Sequence, residues 1–325
     1  MIRKTHLTKI VLIQAFLLAS GSFAGVVDAV EKKVVTQAPG YRRMVLGDFI
    51  VTAVYDGSLE LNMNAWKNEE KEALRELLEC GFLDPMKYRI EVTAFIVDTG
   101  KEKVLVDTGS GSFLGPSLGK AFENLETSGY TSKDITSVFI THMHPDHVGG
   151  LVDKNGKPRF EKATIYSAKV ESDFWLSAEN EEKAPEDMKN YFSIARTCTA
   201  SYLEAGNWKR LEPGETPVQG IKIVPAPGHT PGHSAYEMTS KGETMIIVGD
   251  AIHSAVVQFS RPDFTFFSDI NSLNAIETRK ILFEDIARRK VWVGAPHLPF
   301  PGIGKLRKET GGSYAFIPVR FSQPE

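Results

Sequence analysis

The apolar residues of the chain occur in two kinds of pattern, which predict strands and helices in turn. Strands are predicted where β-branched and aromatic residues run together or alternate with polar ones, and helices where apolar residues recur every three or four positions. The predicted strands are Phe49–Tyr55, Glu91–Val97, Val104–Val106, Ser137–Ile140, Ala163–Tyr166, Ile221–Val224, Tyr236–Met238, Met245–Val248 and Val291–Val293. The predicted helices are Trp66–Cys80, Lys120–Thr127, Ala168–Leu176, Met188–Leu203 and Asn274–Lys290.

Turn and capping residues set the boundaries of these elements. Asp56-Gly57 is expected to close the first strand as a turn, and Asn274 is expected to cap the last helix. Residues 34–43 are interpreted as an extended arm, and residues 311–321 are expected to contain an edge strand. Because strands and helices follow each other in two rounds, we predict an α/β protein with two sheets packed face to face and helices outside.

The first residues have the pattern of a secretory signal peptide. A basic start precedes the short apolar run Ile10–Ala19, and Ser22-Phe23-Ala24 is a small-x-small cleavage site. We therefore expect residues 1–24 to be removed, with cleavage after Ala29 as a second choice, and an uncleaved membrane anchor as the alternative. The expected product is an exported protein, periplasmic or secreted, with one domain over residues 30–325 and no membrane span in its mature form.

Composition narrows the class of partner. The 325-residue chain has a formal net charge of -3 and a pI of about 6.3, which gives no electrostatic basis for binding nucleic acid. Two cysteines are present, Cys80 and Cys198, each in a predicted helix. Export would permit a disulfide, but we expect two separate buried thiols, because cysteine often serves as a small core residue.

The most informative stretch follows the predicted strand Ser137–Ile140. It contains His142, His144, Asp146 and His147 within six residues. Imidazole and carboxylate donors suit zinc and its first-row neighbours, and a catalytic zinc ion usually takes three protein ligands and a water. A surface loop or a buried hydrogen-bonded histidine would account for one such residue but not for all four. The grouping predicts two adjacent metal ions and requires further ligands downstream.

Three further donors occur in one consistent context. His229, Asp250 and His297 each lie within a few residues of the end of a predicted apolar strand. Taken singly, each is the kind of residue that is hydrogen-bonded at a strand end without any further role. If the three strands share a direction, however, all three side chains converge on one edge of the sandwich.

The order of these donors resembles the signature of metallo-β-lactamase-fold hydrolases. Asp107, in Val104-Leu105-Val106-Asp107-Thr108-Gly109, matches the first motif of that superfamily. The resemblance covers almost all of the mature chain and implies a four-layer αββα sandwich. Segments similar to the methyl parathion hydrolase branch, which includes organophosphate triesterases and aryl-ester or lactone hydrolases, are Ala38-Pro39-Gly40-Tyr41, Leu46-Gly47-Asp48-Phe49, Asp173-Phe174-Trp175-Leu176-Ser177 and His297-Leu298-Pro299-Phe300-Pro301-Gly302-Ile303-Gly304.

The resemblance also implies a role for each donor. It assigns His142, His144 and His229 to one metal ion, Asp146, His147 and His297 to a second, and Asp250 to a bridge between them. Asp146 and Asp250 are then also the catalytic residues. Asp107 would orient ligands by hydrogen bonds without binding metal, and His233 is expected to be structural. The implied cofactor is a pair of divalent ions, with zinc favoured over manganese, cobalt or iron.

The expected activity is hydrolysis of a small-molecule lactone or aryl ester by a hydroxide that bridges the two ions. Metal binding lowers the pKa of water to about 7, which makes hydroxide available at neutral pH. One alternative is an organophosphate triesterase of the methyl parathion hydrolase type. Another is a diiron redox protein on the same fold, but such proteins usually carry a carboxylate in the opening motif where this chain has His144.

Four residues are predicted to form the substrate pocket. Leu114, Trp175 and Phe192 are expected to be its walls, although ordinary core packing is an equal alternative for each. His253, three residues after Asp250, is expected to donate a hydrogen bond, which favours a polar ester or lactone. Relatives in the branch imply a homodimer.

Overall fold

The computed structural model of the protein describes residues 38–320, so the predicted signal peptide lies outside the described residues. Two sheets form the centre of this region. The first contains, from edge to edge, β1 (Tyr41–Leu46), β2 (Phe49–Leu61), β3 (Tyr88–Asp98), β4 (Lys103–Val106), β5 (Ser137–Ile140), β6 (Thr164–Ala168) and β7 (Trp208–Leu211). The second contains, in the same sense, β13 (Tyr314–Pro318), β12 (Ile303–Lys308), β11 (Trp292–Gly294), β10 (Glu243–Ile247), β9 (Ser234–Ser240) and β8 (Ile221–Pro225).

Eight α-helices connect or flank these strands within the described residues. They are α1 (Lys71–Cys80), α2 (Ala121–Thr127), α3 (Pro145–Val148), α4 (Lys169–Trp175), α5 (Ala178–Lys183), α6 (Glu186–Glu204), α7 (Ala255–Gln258) and α8 (Ser272–Arg289). Side chains of α2 and α6 pack on the outer face of the first sheet, and Phe283 and Ile286 of α8 pack on the second. None of the helices within residues 38–320 is long and apolar enough to cross a bilayer.

The core between the sheets is built from alternate residues of their strands. In β5, Val138 and Ile140 face the helices, whereas Phe139 points between the sheets and stacks on Tyr236 of β9 with ring centroids 5.0 Å apart. This alternation follows from the two-residue period of a strand buried on both faces. The predicted α/β fold, a four-layer αββα sandwich, is confirmed.

Strand direction decides where chemistry can gather. Strands β4, β5, β6 and β7 run parallel to one another. In the second sheet β10 is parallel to β11, and β9 is antiparallel to both β8 and β10, so β8, β10 and β11 share a direction. The condition set by the sequence for convergence of His229, Asp250 and His297 is therefore met.

Several predicted boundaries were wrong. Asp56-Gly57 is not a turn: β2 continues through a bulge there, because the buried Asp56 carboxylate accepts hydrogen bonds from the backbone N–H groups of Ser110, Gly119 and Ala121. Gly57 has φ +143°, a conformation that glycine adopts without strain.

Two predicted helices begin at other residues in the structure. The first long helix begins at Lys71 rather than Trp66, since Trp66 is fully buried and its backbone bridges to Phe266. The last helix is capped by Asn271 rather than Asn274, whose N–H donates to the Asn271 side chain.

The prediction of an extended arm was only partly testable, whereas the predicted strand near the C-terminus is present. Residues 41–43, assigned to the extended arm, belong to β1, while residues 34–37 lie outside the described range. The edge strand predicted within residues 311–321 is confirmed as β13.

The two cysteines are both free thiols. Cys198 is buried in α6 as expected, and burial raises the pKa of its thiol to about 12. The expectation that Cys80 is buried was wrong. Leu74 and Leu78 form the buried side of α1, and Cys80 lies two positions beyond Leu78, on the opposite side of the helix.

Candidate metal centre

The predicted donors meet at the carboxyl ends of the strands. His142 and His144 lie on the turn after β5, and Pro145 then begins α3, so that Asp146 and His147 fall within its first turn. Proline suits that first helical position, because its missing N–H would have had no partner in the helix. The three donors from the second sheet are delivered in the same way by the segments after β8, β10 and β11.

The first group of donors is His142, His144, His229 and Asp250, with one donor atom of each within 4.8 Å of all the others. The Nδ1 atom of His144 lies 3.0 Å from Nε2 of His229. The Oδ2 atom of Asp250 lies 3.3 Å from Nε2 of His229 and 3.5 Å from Nε2 of His142. All four side chains are buried.

The second group is Asp146, His147 and His297, again within 4.8 Å. The Nε2 atoms of both histidines lie 3.5 Å from Oδ2 of Asp146. Asp250 also reaches this group, since its two oxygens lie 3.2 Å from Nε2 of His147 and 3.2 Å from Nε2 of His297. One carboxylate is thus shared between two sets of imidazoles.

These residues fit a pair of divalent cations. The Nε2 atoms of His142 and His147 and the Oδ1 atom of Asp250 are buried and have no hydrogen-bond partner among the described residues. An unsatisfied buried polar atom costs about 1–3 kcal/mol, so native proteins rarely leave several together without a ligand. Imidazole nitrogen and carboxylate oxygen are the donors that zinc accepts.

Burial and charge set the protonation of the cluster. Burial holds the pKa of His142 and of His144 well below the usual range, so these rings are neutral and keep the lone pair that a metal needs. Burial opposes ionisation of Asp250, but His147 and His297 outweigh it and hold the pKa of that carboxyl well below its usual value. A metal ion therefore meets neutral imidazoles at His142 and His144 and an ionised carboxylate at Asp250. Burial opposes protonation of His147 and His297, but Asp250 and Asp146 outweigh it and raise the pKa of both rings, so a metal ion must displace their protons.

Asp107 lies behind the ligands, where the resemblance placed it. Its Oδ2 atom lies 2.9 Å from Nδ1 of His147, and its two oxygens accept hydrogen bonds from the backbone N–H and the hydroxyl of Thr141. The Thr141 hydroxyl in turn lies 3.0 Å from Nδ1 of His142. Asp107 thereby fixes the orientation of a ring in each donor group.

His233 has both ring nitrogens engaged. Its Nδ1 lies 2.9 Å from the carbonyl of Ala226, and its Nε2 accepts a hydrogen bond from the backbone N–H of Asp250. Burial lowers its pKa to about 3, so the ring stays neutral. It ties the Asp250 backbone to the segment before His229.

Three supporting residues escaped the sequence analysis. Asp269 lies 2.8 Å from Nδ1 of His229, and the fully buried Arg279 donates to the carbonyl of Ala251, beside Asp250, while lying 3.7 Å from Asp269. In the sequence, Asp269 lies just before the start of α8 and could be taken for a capping residue. Arg279 could be taken for an ordinary cation on the surface of a helix. A third, Glu171, accepts hydrogen bonds from the backbone N–H of Met143, in the turn after β5, and from that of Gly232, in the segment after β8. No spacing in the sequence distinguishes these three.

A cleft of about 430 Å³ opens beside His144. Tyr191 contributes to it from α6, with its ring centroid 5.2 Å from that of His144. The residues that line the cleft are Lys67, His144, Pro185, Asp187, Met188, Tyr191, Phe267, Ser268, Asp269 and Ile270.

None of the four predicted pocket residues lines this cleft. Trp175 and Phe192 are fully buried in the core under α6, because their rings pack against each other at 4.6 Å and Trp175 also packs against His144. Leu114 is half-buried on the loop after Asp107. His253 is buried instead beside the metal centre, with Nε2 3.2 Å from Oδ2 of Asp250 and its ring stacked between Phe266 and His297.

Comparison with known sequences identifies the family. The sequence model of the metallo-beta-lactamase superfamily matches residues 89–282. The chain belongs to this superfamily. The matched span holds every predicted ligand except His297, which the fold supplies from beyond it.

Solved structures of this superfamily superpose closely on the chain. AbOPH, a hydrolase in the β-lactamase superfamily, is 35% identical with a TM-score of 0.84, covering 89% of this chain and 100% of its own. AidC, a dizinc quorum-quenching lactonase in complex with the product N-hexanoyl-L-homoserine, is 28% identical with a TM-score of 0.80, covering 87% and 99%.

Curated relatives in the superfamily are more distant. A probable metallo-hydrolase of Mycobacterium tuberculosis is 24% identical over 196 residues, which are 54% of this chain and 61% of the relative. The chain thus spans about three fifths of that relative's length. An N-acyl homoserine lactonase of Bacillus thuringiensis is 23% identical over 211 residues, or 59% and 76% of the two chains. Membership of the methyl parathion hydrolase branch stays a prediction.

Proposed function

We propose that the protein is a metal-dependent hydrolase that opens a lactone ring. The observation that carries the proposal is the pair of His/Asp groups that share Asp250 beside a cleft lined by His144. Relatives named as lactonases, one of them a dizinc enzyme, support the choice of bond and favour zinc as the metal.

The bound ions and the residues of the chain would have different roles in hydrolysis. When bound, two divalent ions would lower the pKa of a water to about 7 and polarise the carbonyl oxygen of an ester. His142, His144 and His229 would hold one ion, Asp146, His147 and His297 the other, with Asp250 shared. Tyr191 lines the cleft, and burial raises the pKa of its phenol to about 12, so it keeps its proton at neutral pH and can donate a hydrogen bond to a substrate.

The walls of the cleft favour an acyl lactone over a compact polar ester. Pro185, Met188, Phe267 and Ile270 give it an apolar side next to the metal centre. An acyl chain laid along such residues leaves water and contributes about 25 cal/mol per Å² of apolar surface buried.

The test is turnover by purified protein loaded separately with zinc, manganese and cobalt. The substrates are N-acyl homoserine lactones of increasing chain length, aryl esters and a paraoxon-type triester. The proposal expects the highest kcat/KM with an acyl lactone and loss of that turnover after chelation. A preference for the triester would refute the lactonase proposal and favour the phosphotriesterase alternative. Full turnover after exhaustive chelation would refute metal dependence.

A further inference from the structure

Glu171 is a fully buried carboxylate in the first turn of α4, outside both groups of predicted ligands. Its Oε1 atom accepts hydrogen bonds from the backbone N–H of Met143 at 2.8 Å and from the indole N–H of Trp175 at 2.7 Å. Its Oε2 atom accepts from the hydroxyl of Thr230 at 2.7 Å and from the backbone N–H of Gly232 at 3.0 Å. Each carboxylate oxygen thus receives two donors.

All four donors lie next to histidines of the first donor group, in the sequence or in space. Met143 stands between His142 and His144, so the bond to its N–H fixes the turn that presents both rings. Thr230 follows His229 directly, and Gly232 belongs to the same turn. The fourth donor, Trp175, packs edge-on against the ring of His144 with centroids 5.2 Å apart.

The three histidines of that group come from two sheets. His142 and His144 follow a strand of the first sheet, and His229 follows a strand of the second, 85 residues after His144. The distance between the two turns therefore depends on contacts that cross from one to the other. Glu171 makes such a contact with one oxygen on each turn.

A carboxylate suits this position better than any neutral group. Four donors converge on it, and an ionised carboxylate offers about four acceptor sites and no proton of its own. A buried charge is tolerated only when it is paired or fully hydrogen-bonded, and here each oxygen is doubly bonded. The same occupancy leaves neither oxygen free to bind a metal ion.

We propose that Glu171 is a positioning residue that sets the spacing of the three-histidine group and so determines metal affinity at that site alone. This inference rests on the metal centre of the proposed function. In the second group Asp107 orients His147 directly, and none of the four hydrogen bonds of Glu171 goes to Asp146, His147 or His297.

The deciding variant is Glu171→Gln. An amide in this place keeps one acceptor oxygen but turns its NH2 group toward the second turn. The Thr230 hydroxyl can rotate to accept from it, but the backbone N–H of Gly232 cannot, so the bond from Gly232 is replaced by a repulsive contact between two donors. Outer residues that orient metal ligands typically change metal affinity by about 10–100-fold. We expect that loss at one of the two sites, with the other site within about threefold of wild type.

Zinc affinities are measured by competition with graded chelators, and cobalt absorption spectra report the geometry of each site. The matched control is Glu237→Gln. Glu237 lies on β9, outside both donor groups, and its carboxylate pairs with Arg289 of α8. This variant should retain both zinc ions with wild-type affinity. Thr230→Val, which removes one donor and keeps side-chain shape, should give a smaller loss at the same single site.

The outcomes separate the two proposals. Wild-type protein that fails to retain two zinc ions overturns the proposed function, and the inference with it. If wild type binds two ions and Glu171→Gln binds both unchanged, or weakens both equally, the inference is overturned and the proposed function stands. Should Glu171→Gln not fold, Thr230→Val decides by the same criterion.

Discussion

Asp250 is the residue on which the two donor groups converge. Its Oδ2 atom lies within 3.5 Å of imidazole nitrogens from His142, His229, His253 and His297, and its Oδ1 atom lies 3.2 Å from His147. Among the described residues, the ion pairs of Asp146 are in contrast only with rings of the second group. Replacing each of the two carboxylates should therefore cause a different loss of metal affinity.

Asp250→Asn should weaken both metal sites, whereas Asp146→Asn should weaken only one. Because changes outside the ligand set already cost about 10–100-fold in metal affinity, replacing a ligand should cost at least as much. Zinc retained per chain after dialysis against graded chelator measures this. Equal losses in the two variants would contradict the sharing of Asp250.

At the residue scale, the sequence predicts the metal ligands better than the residues that orient them by hydrogen bonds. His229, Asp250 and His297 were found because each follows the end of an apolar strand, which is a pattern with a geometric meaning. Asp269 and Glu171 have no such pattern, since their partners are backbone groups and rings that only the fold brings near. Trp175 and Phe192 lie in the core, the alternative that the sequence left open, because sequence does not tell which side of a helical segment faces a cleft and which faces the core.

At the scale of elements, α8 anchors the segment that supports His229. Arg279, fully buried on this helix, donates to the carbonyls of Ala251, Pro262 and Phe264 and lies 3.7 Å from Asp269. The helix thus holds the loop after Asp250 and the loop before its own start in one arrangement.

Arg279→Met should therefore destabilise the protein strongly. Breaking a buried ion pair by removing one partner costs about 3–5 kcal/mol. Arg288→Met, on the exposed end of the same helix, should cost less than about 1 kcal/mol, because its pair with Asp285 faces solvent. Denaturant unfolding of both metal-free variants provides the comparison, and similar losses would refute the anchoring role.

The segment before α8 also forms a wall of the cleft. Phe267 is half exposed there and lies outside the ligand set. Phe267→Ala should raise KM for a long-chain acyl lactone about fivefold with kcat nearly unchanged, since roughly 40 Å² of apolar contact is worth about 1 kcal/mol. Phe82→Ala, at a fully exposed ring that does not line the cleft, is the control. A fall in kcat alone would point away from a binding role.

Some strands could not be predicted, for a reason that also belongs to this scale. β7 and β12 carry exposed cations, Lys209 and Arg210 in the first and Arg307 and Lys308 in the second, which hide the apolar pattern. The strands that deliver the donors were found, because β5 is buried on both faces and β8 alternates buried and exposed residues. Hence the sequence supports a prediction of the site more firmly than of the sheet edges.

At the scale of the whole molecule, both sheets supply donors to the centre. The first sheet delivers His142, His144, Asp146 and His147, and the second delivers His229, Asp250 and His297. A metal ion held by both binds the folded chain and not the unfolded one. Metal binding and folding are therefore linked.

Zinc should raise the midpoint of thermal unfolding. At a free zinc concentration 100 times the dissociation constant, one site adds about 2.7 kcal/mol to the free energy of unfolding. Calorimetry with and without chelator measures the shift, and Glu237→Gln should show the same increment as wild type. An unfolding midpoint that zinc leaves unchanged would contradict the linkage.

The most direct test of the account is the anomalous scattering of a zinc-loaded crystal at the zinc edge. We predict two peaks in each chain, one among His142, His144, His229 and Asp250, and one among Asp146, His147, His297 and Asp250. A single peak, or peaks away from Asp250, would contradict the central claim that seven side chains from two sheets hold a pair of metal ions.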